Sequence, residues 1–83
     1  MNREHVEWCR RHFAMIRDGG AWAVPSLGLI FNKRGSDLVL VARLPHDPAM
    51  PITAEELVRQ QEQMFQDTVE NFGAAGIAVK SEV

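Results

Sequence analysis

Three residues near the start of the chain, His5, Cys9 and His12, stand at i, i+4 and i+7, a spacing that puts side chains on one side of a helix. A thiolate and two imidazoles are zinc ligands. However, His5 and His12 would lie about 10 Å apart along a helix axis. Two bonds near 2 Å to one ion would strain that arrangement, and the spacing offers no fourth ligand. No metal is expected. Nucleophilic catalysis needs a Ser or Cys beside a base. Cys9 falls on the apolar side of its segment, where a thiol is usually inert. Ser26 and Ser36 have no motif around them. His46-Asp47 would make an acid–base pair, but neighbours in a Pro-rich loop more often shape a turn. The glycines of GLIFNKRG do not follow a phosphate-loop pattern. The expectation is therefore no enzyme and no cofactor.

Basic residues raise the question of nucleic acid. Arg3, Arg10, Arg11 and Arg17 recur along the first apolar-periodic segment, and Lys33-Arg34 sit near a turn. A basic β-ribbon tip can enter a groove. Against this, the net charge is −2 and the pI is near 5.8, whereas nucleic-acid modules run above about 9. Nucleic acid is not the expected partner. The charge is unevenly placed. Residues 1–44 carry seven Lys/Arg and four Asp/Glu; residues 45–83 carry two and seven. Either the halves interleave their charges on folding, or one basic and one acidic face meet a partner.

The elements that must carry these residues follow from periodicity. The chain is organised around Ala21–Leu44, read as a β-hairpin turning at Asn32-Lys33-Arg34-Gly35-Ser36, with Gly35 supplying positive φ. Its first strand covers Ala21–Phe31, where Pro25 removes a ladder donor and demands an edge or a bulge. Its second, Asp37–Leu44, is apolar on both faces and reads as central and covered on both sides. A helix precedes the hairpin from Arg3 to Asp18, with Asn2 as N-cap and Gly19-Gly20 as the stop. Val6, Cys9, Phe13 and Ile16 make its core face. His5, Trp8, His12 and Met15 make a second stripe that one core cannot also bury.

After the proline-stiffened linker Pro45–Pro51, Thr53 and Glu56 form a capping box. The second helix runs to Phe72 and stops at Gly73. Leu57, Val58, Met64, Phe65, Val69 and Phe72 are its buried stripe, with Gln61 and Thr68 inside it. Gly76–Val79 is a last short strand and Lys80–Val83 is expected to fray. The fold class is α+β, in the order α-β-β-α-β: a three-stranded sheet on the central hairpin with both helices largely on one face. The third strand should lie parallel beside the second through a crossover that carries the second helix.

Eighty-three residues make one domain, which buries roughly 60–65% of its unfolded surface. Composition is ordinary for a globular chain, at 46% apolar and 24% charged. No apolar run approaches the about 18 residues of a membrane span, and no signal-peptide h-region follows the charged start. One cysteine excludes an intrachain disulfide and fits a reducing compartment, so a cytoplasmic protein is expected.

The acidic chain, with its AWAVPSLGLIF…KRG hairpin and MPITAEEL helix start, resembles in size and layout the small accessory proteins encoded by bacteriophages. That resemblance implies a protein that binds and blocks a host factor in the host cytoplasm, or sequesters a defence signal. It transfers no residue roles. The residues themselves favour binding over catalysis. The leading expectation is a homodimeric inhibitor or adaptor acting on a host protein, with His5, Trp8, Arg11, His12 and Met15 as its interface. The alternative is a protein that sequesters a nucleotide-like anion, gripped by Arg10, Trp22, Lys33, Arg34 and Gln61.

Overall fold

Asn2 caps the first helix by accepting the His5 N–H at 3.1 Å, and α1 runs Arg3–Met15. The computed structural model describes residues 2–83. α1 ends short of the expected Asp18 because the sheet captures the chain. Gly20 N–H closes a turn onto the Arg17 carbonyl at 2.7 Å, with Gly19 at φ 78° in its third position. Gly19 N–H then donates to the Lys33 carbonyl, and Lys33 N–H to the Gly20 carbonyl, both at 2.9 Å. Two residues opposing one, with a left-handed glycine first, is a G1 bulge. Arg17 and Asp18 therefore belong to the turn.

Four strands follow where three were expected. β1 is Ala21–Val24, β2 is Leu29–Arg34, β3 is Asp37–Arg43 and β4 is Ala78–Ser81. The element order is α-β-β-β-α-β. The expected single strand Ala21–Phe31 folds back on itself at Pro25–Gly28. Pro25 occupies the second position of a turn that Leu27 N–H closes onto the Val24 carbonyl at 3.1 Å, a place where its fixed φ is an advantage. Gly28 has φ 67°, and a Cβ there would stand 2.9 Å from Leu44 Cβ. The second hairpin turn is tighter than expected. Arg34 pairs with Asp37, so only Gly35-Ser36 forms the loop, and Asn32, Lys33 and Arg34 lie within β2.

The sheet order is β1-β2-β3-β4, antiparallel at the first two junctions and parallel between β3 and β4. The parallel junction is the one expected for the crossover. Inward residues Leu29, Phe31, Leu38 and Leu40 join Cys9 of α1 with Phe72, Ala75 and Ile77 in one core. Val6, Phe13, Ile16, Trp22 and Val24 pack against it. Both helices thus occupy one face. Ile30 and Val39 fall on the opposite face by alternation, Ala42 joins them because the bulge between Ile30 and Phe31 pairs it with Ile30, and none of the described helices covers them. β3 is central, as expected, but its second face is shielded only by its neighbours: Val39 sits between Asn32 and Lys80.

Helix α2, Ala54–Ala74, has the expected N-cap, Thr53 Oγ1 accepting the Glu56 N–H at 3.1 Å, but the Glu56 carboxylate turns to Arg59 and Gln60, so only one half of the capping box forms. The helix continues past Gly73. Ile77 N–H reaches the Phe72 carbonyl and Gly76 N–H the Gly73 carbonyl, a Schellman motif with Gly76 at φ 83°. The stop is Gly76, because only there does the chain need the left-handed conformation. Val58 is corrected from the buried stripe to the surface, at 60% exposure. The tail is tied down rather than frayed. Glu82 N–H donates to the Leu40 carbonyl at 2.9 Å, and its carboxylate pairs with Arg34. The halves interleave charges through Arg34–Glu82, Arg43–Glu62 and Asp37–Lys80.

Candidate functional site

The 3.6-residue period that turns Val6, Cys9 and Phe13 inward leaves His5, Trp8, His12 and Met15 on the outer side of α1. Trp8 is stacked between two imidazoles. The His5 ring lies 5.9 Å away and almost parallel, and the His12 ring 3.8 Å away. His12 Nδ1–H donates to the Trp8 carbonyl at 2.9 Å, which fixes that ring. Even so, Trp8 is 37% exposed and Met15 79%. Arg11 lies on the same helix in a shallow hollow with Arg3, Glu4 and Glu7.

The stripe runs into a cleft of about 410 Å³, lined by His12, Met15, Ile16, Arg17, Gly20, Ala21, Trp22 and Phe72. The G1 bulge builds one wall by swinging β1 against the end of α1. Trp22 makes the floor, its ring 5.2 Å from Phe31 and 5.5 Å from Phe72. Thus two of the five interface residues read from the sequence, His12 and Met15, meet Trp22 at one surface feature.

The five residues expected to grip an anion do not converge. Arg10 pairs with Glu7 at 2.8 Å, and Arg34 with Glu82. Lys33 Nζ donates to the Phe13 and Ile16 carbonyls at 2.8 and 3.0 Å. Gln61 is buried, and its Nε2 donates to the Leu27 and Leu44 carbonyls at 2.8 and 3.1 Å. Of the five, Trp22 alone lines the cleft.

Chemistry elsewhere is structural. His46 Nε2–H donates to the Ile52 carbonyl at 2.6 Å, and Asp47 Oδ1 accepts the Ala49 N–H at 2.9 Å. Both shape the linker. Cys9 is fully buried, and that burial pushes its thiol above its ordinary pKa. Among the described residues, no three His, Cys, Asp or Glu side chains are placed to hold a metal ion. None of the described helices is long and apolar enough to cross a membrane.

No protein-family model, curated protein or solved structure matches this chain. The surface must be read from its own chemistry. Reading the sequence missed Ile16, Arg17, Gly20, Ala21 and Phe72 as cleft residues. The signal available was Gly19-Gly20 directly after the helix, a pair able to turn the chain sharply enough to set a strand against the helix end.

Proposed function

We propose that this chain is a non-catalytic protein-binding module. Its working face is His5, Trp8, Arg11, His12 and Met15 of α1, together with the cleft they lead into. The observation that carries this reading is continuity: an exposed Trp and Met stripe opens into an apolar cleft floored by a second Trp. Trp, Met and Arg are enriched at interface cores, and aromatic anchors in pockets dominate interface energy. Resemblance to phage accessory proteins makes a bacterial host protein the expected target and inhibition or adaptation the expected outcome.

The test compares immobilised wild-type chain with Trp8→Ala and Met15→Glu as baits in a bacterial lysate. A specific partner retained by wild type should weaken at least about 30-fold on Trp8→Ala, near the 2 kcal/mol that marks a hot spot, with the melting curve unchanged. A partner indifferent to both substitutions would refute the assignment of this face.

Self-association is a second reading, favoured by the helix-free face of the sheet. Ile30, Val39 and Ala42 lie there, with Arg34–Glu82 and Asp37–Lys80 around them as balanced pairs of opposite charge. Such a face is suited to a C₂ copy of itself. Sedimentation at micromolar concentration should show a species of twice the 9.3 kDa chain mass, dispersed by Ala42→Lys; a 9.3 kDa monomer would remove the dimer.

A further inference from the structure

We infer that the outer edge of β1 is a strand-addition site for an extended segment of a partner protein. That segment would carry an apolar anchor for the cleft and an acidic residue for Arg17. The inference rests on reading the cleft as part of the binding face and specifies what enters it.

The backbone supplies the first argument. Lys33 N–H is bonded to the Gly20 carbonyl, and paired residues alternate along an antiparallel ladder. With Gly20 paired, Trp22 and Val24 direct their backbone groups at β2, and Ala21 and Ala23 direct theirs outward. β1 ends the sheet, Ala21 and Ala23 are exposed, and neither has a hydrogen-bond partner outside the sheet among the described residues. An added strand would take up both N–H groups and both carbonyls.

The second argument is the lack of protection. Native edges are blunted by charges, prolines or covering elements. β4, at the other edge, carries Lys80 paired to Asp37, and Glu82 paired to Arg34 follows it. β1 reads Ala-Trp-Ala-Val, without a charge or a proline, and Pro25 comes only after it. The third argument is side-chain complementarity. Strand addition draws affinity from the main chain and specificity from pockets for alternate side chains. The cleft lies along Gly20, Ala21 and Trp22 and is mostly apolar, with Met15, Ile16 and Phe72 as its other walls. Its charged member is Arg17, which has no ion-pair partner among the described residues. A second copy pairing antiparallel through β1 would set Arg17 opposite the Pro25-Ser26-Leu27-Gly28 end of its mate, which offers no carboxylate, whereas an acidic segment would neutralise it.

The experiment selects random twelve-residue displayed peptides on the purified chain. Enriched peptides should carry an apolar residue with Asp or Glu close by. Ala23→Pro should weaken the best peptide at least tenfold, since it removes one outward N–H at an edge position that tolerates proline. Arg17→Glu should weaken it similarly, and reselection on that variant should replace Asp/Glu by Lys/Arg. N-methylation of the peptide backbone should abolish binding. Unchanged melting curves keep folding out of the result. No enrichment, enrichment of basic peptides, or binding indifferent to Ala23→Pro would overturn the inference. So would a β1-paired dimer dispersed by Ala23→Pro, which would give the edge to a second copy. Trp8 lies outside the cleft. If Trp8→Ala abolishes partner capture while no peptide is selected, this inference alone falls. If peptides bind as described while capture ignores Trp8, the α1 reading falls instead.

Discussion

The Lys33 ammonium lies 2.8 Å from the Phe13 carbonyl oxygen and 4.3 Å from the centre of the Phe13 ring. One cation from β2 therefore closes the C-terminus of α1, where carbonyls lack helical partners and the dipole is negative. Its second bond, to the Ile16 carbonyl, holds the residue at which the helix ends. Lys33→Met keeps the stem and removes the charge. It should destabilise the fold by about 1.5–3 kcal/mol, the range for hydrogen bonds to charged groups. Denaturant midpoints would measure this, and a change below about 0.5 kcal/mol would contradict it.

Two glycines should respond to alanine with opposite sign. Gly28 is in the left-handed region, and a Cβ there would meet Leu44 at 2.9 Å. Gly28→Ala should cost about 2 kcal/mol or more. Gly73 lies inside α2 with nothing within 4 Å of an added Cβ. Gly73→Ala should raise stability by about 0.5–1 kcal/mol, since a helical glycine loses more backbone entropy than alanine. Thermal melts of the two variants should therefore move in opposite directions.

Gln61 ties α2 to the Leu27 and Leu44 carbonyls from a buried position. Gln61→Leu fills much of the same space and deprives both carbonyls of a donor. A loss of about 1–3 kcal/mol is expected. Full stability in that variant would show that these contacts are replaceable.

The buried Cys9 thiol sets a pH dependence with a definite sign. Burial raises its pKa above the ordinary value of about 9.0. The unfolded chain then releases the thiol proton at lower pH than the folded one. This contribution to stability is fully present below pH about 9 and is lost as pH rises towards the folded value. Stability measured across pH 8–10 should fall faster for wild type than for Cys9→Ala. Alkylation of Cys9 at neutral pH should proceed only as fast as the fold opens.

Much of the architecture is legible in local chemistry. Asn2 and Thr53-Glu56 announce the helix starts, because caps act over three residues of sequence. Periodicity picks out Val6, Cys9, Phe13 and Ile16 as core and leaves Trp8 and Met15 outside. Helix ends and strand breaks are less legible. Gly73 and Gly76 look alike as letters, and only the packing of Ile77 with Phe72 selects Gly76 as the stop. Pro25 reads from sequence as an edge position or a bulge; the pairing of Val24 with Leu29 makes it a turn instead and adds the fourth strand.

The pattern of residues by itself determined an α+β chain with one helix carrying two different faces, since amphipathic spacing is a property of the local chain. Tertiary structure decided where the polar and charged groups work. Lys33, Arg34, Gln61 and Arg10 look available to a ligand in sequence, yet each binds a partner within the fold. Two of those partners are carbonyl or carboxylate groups more than thirty residues away, Leu27 for Gln61 and Glu82 for Arg34. The cleft has the same origin. Met15, Trp22 and Phe72 come from three elements, and the G1 bulge at Gly19-Gly20 and the crossover through α2 bring them to one place. No local rule encodes such long-range meetings, because they depend on which of several allowed strand pairings buries the most apolar surface.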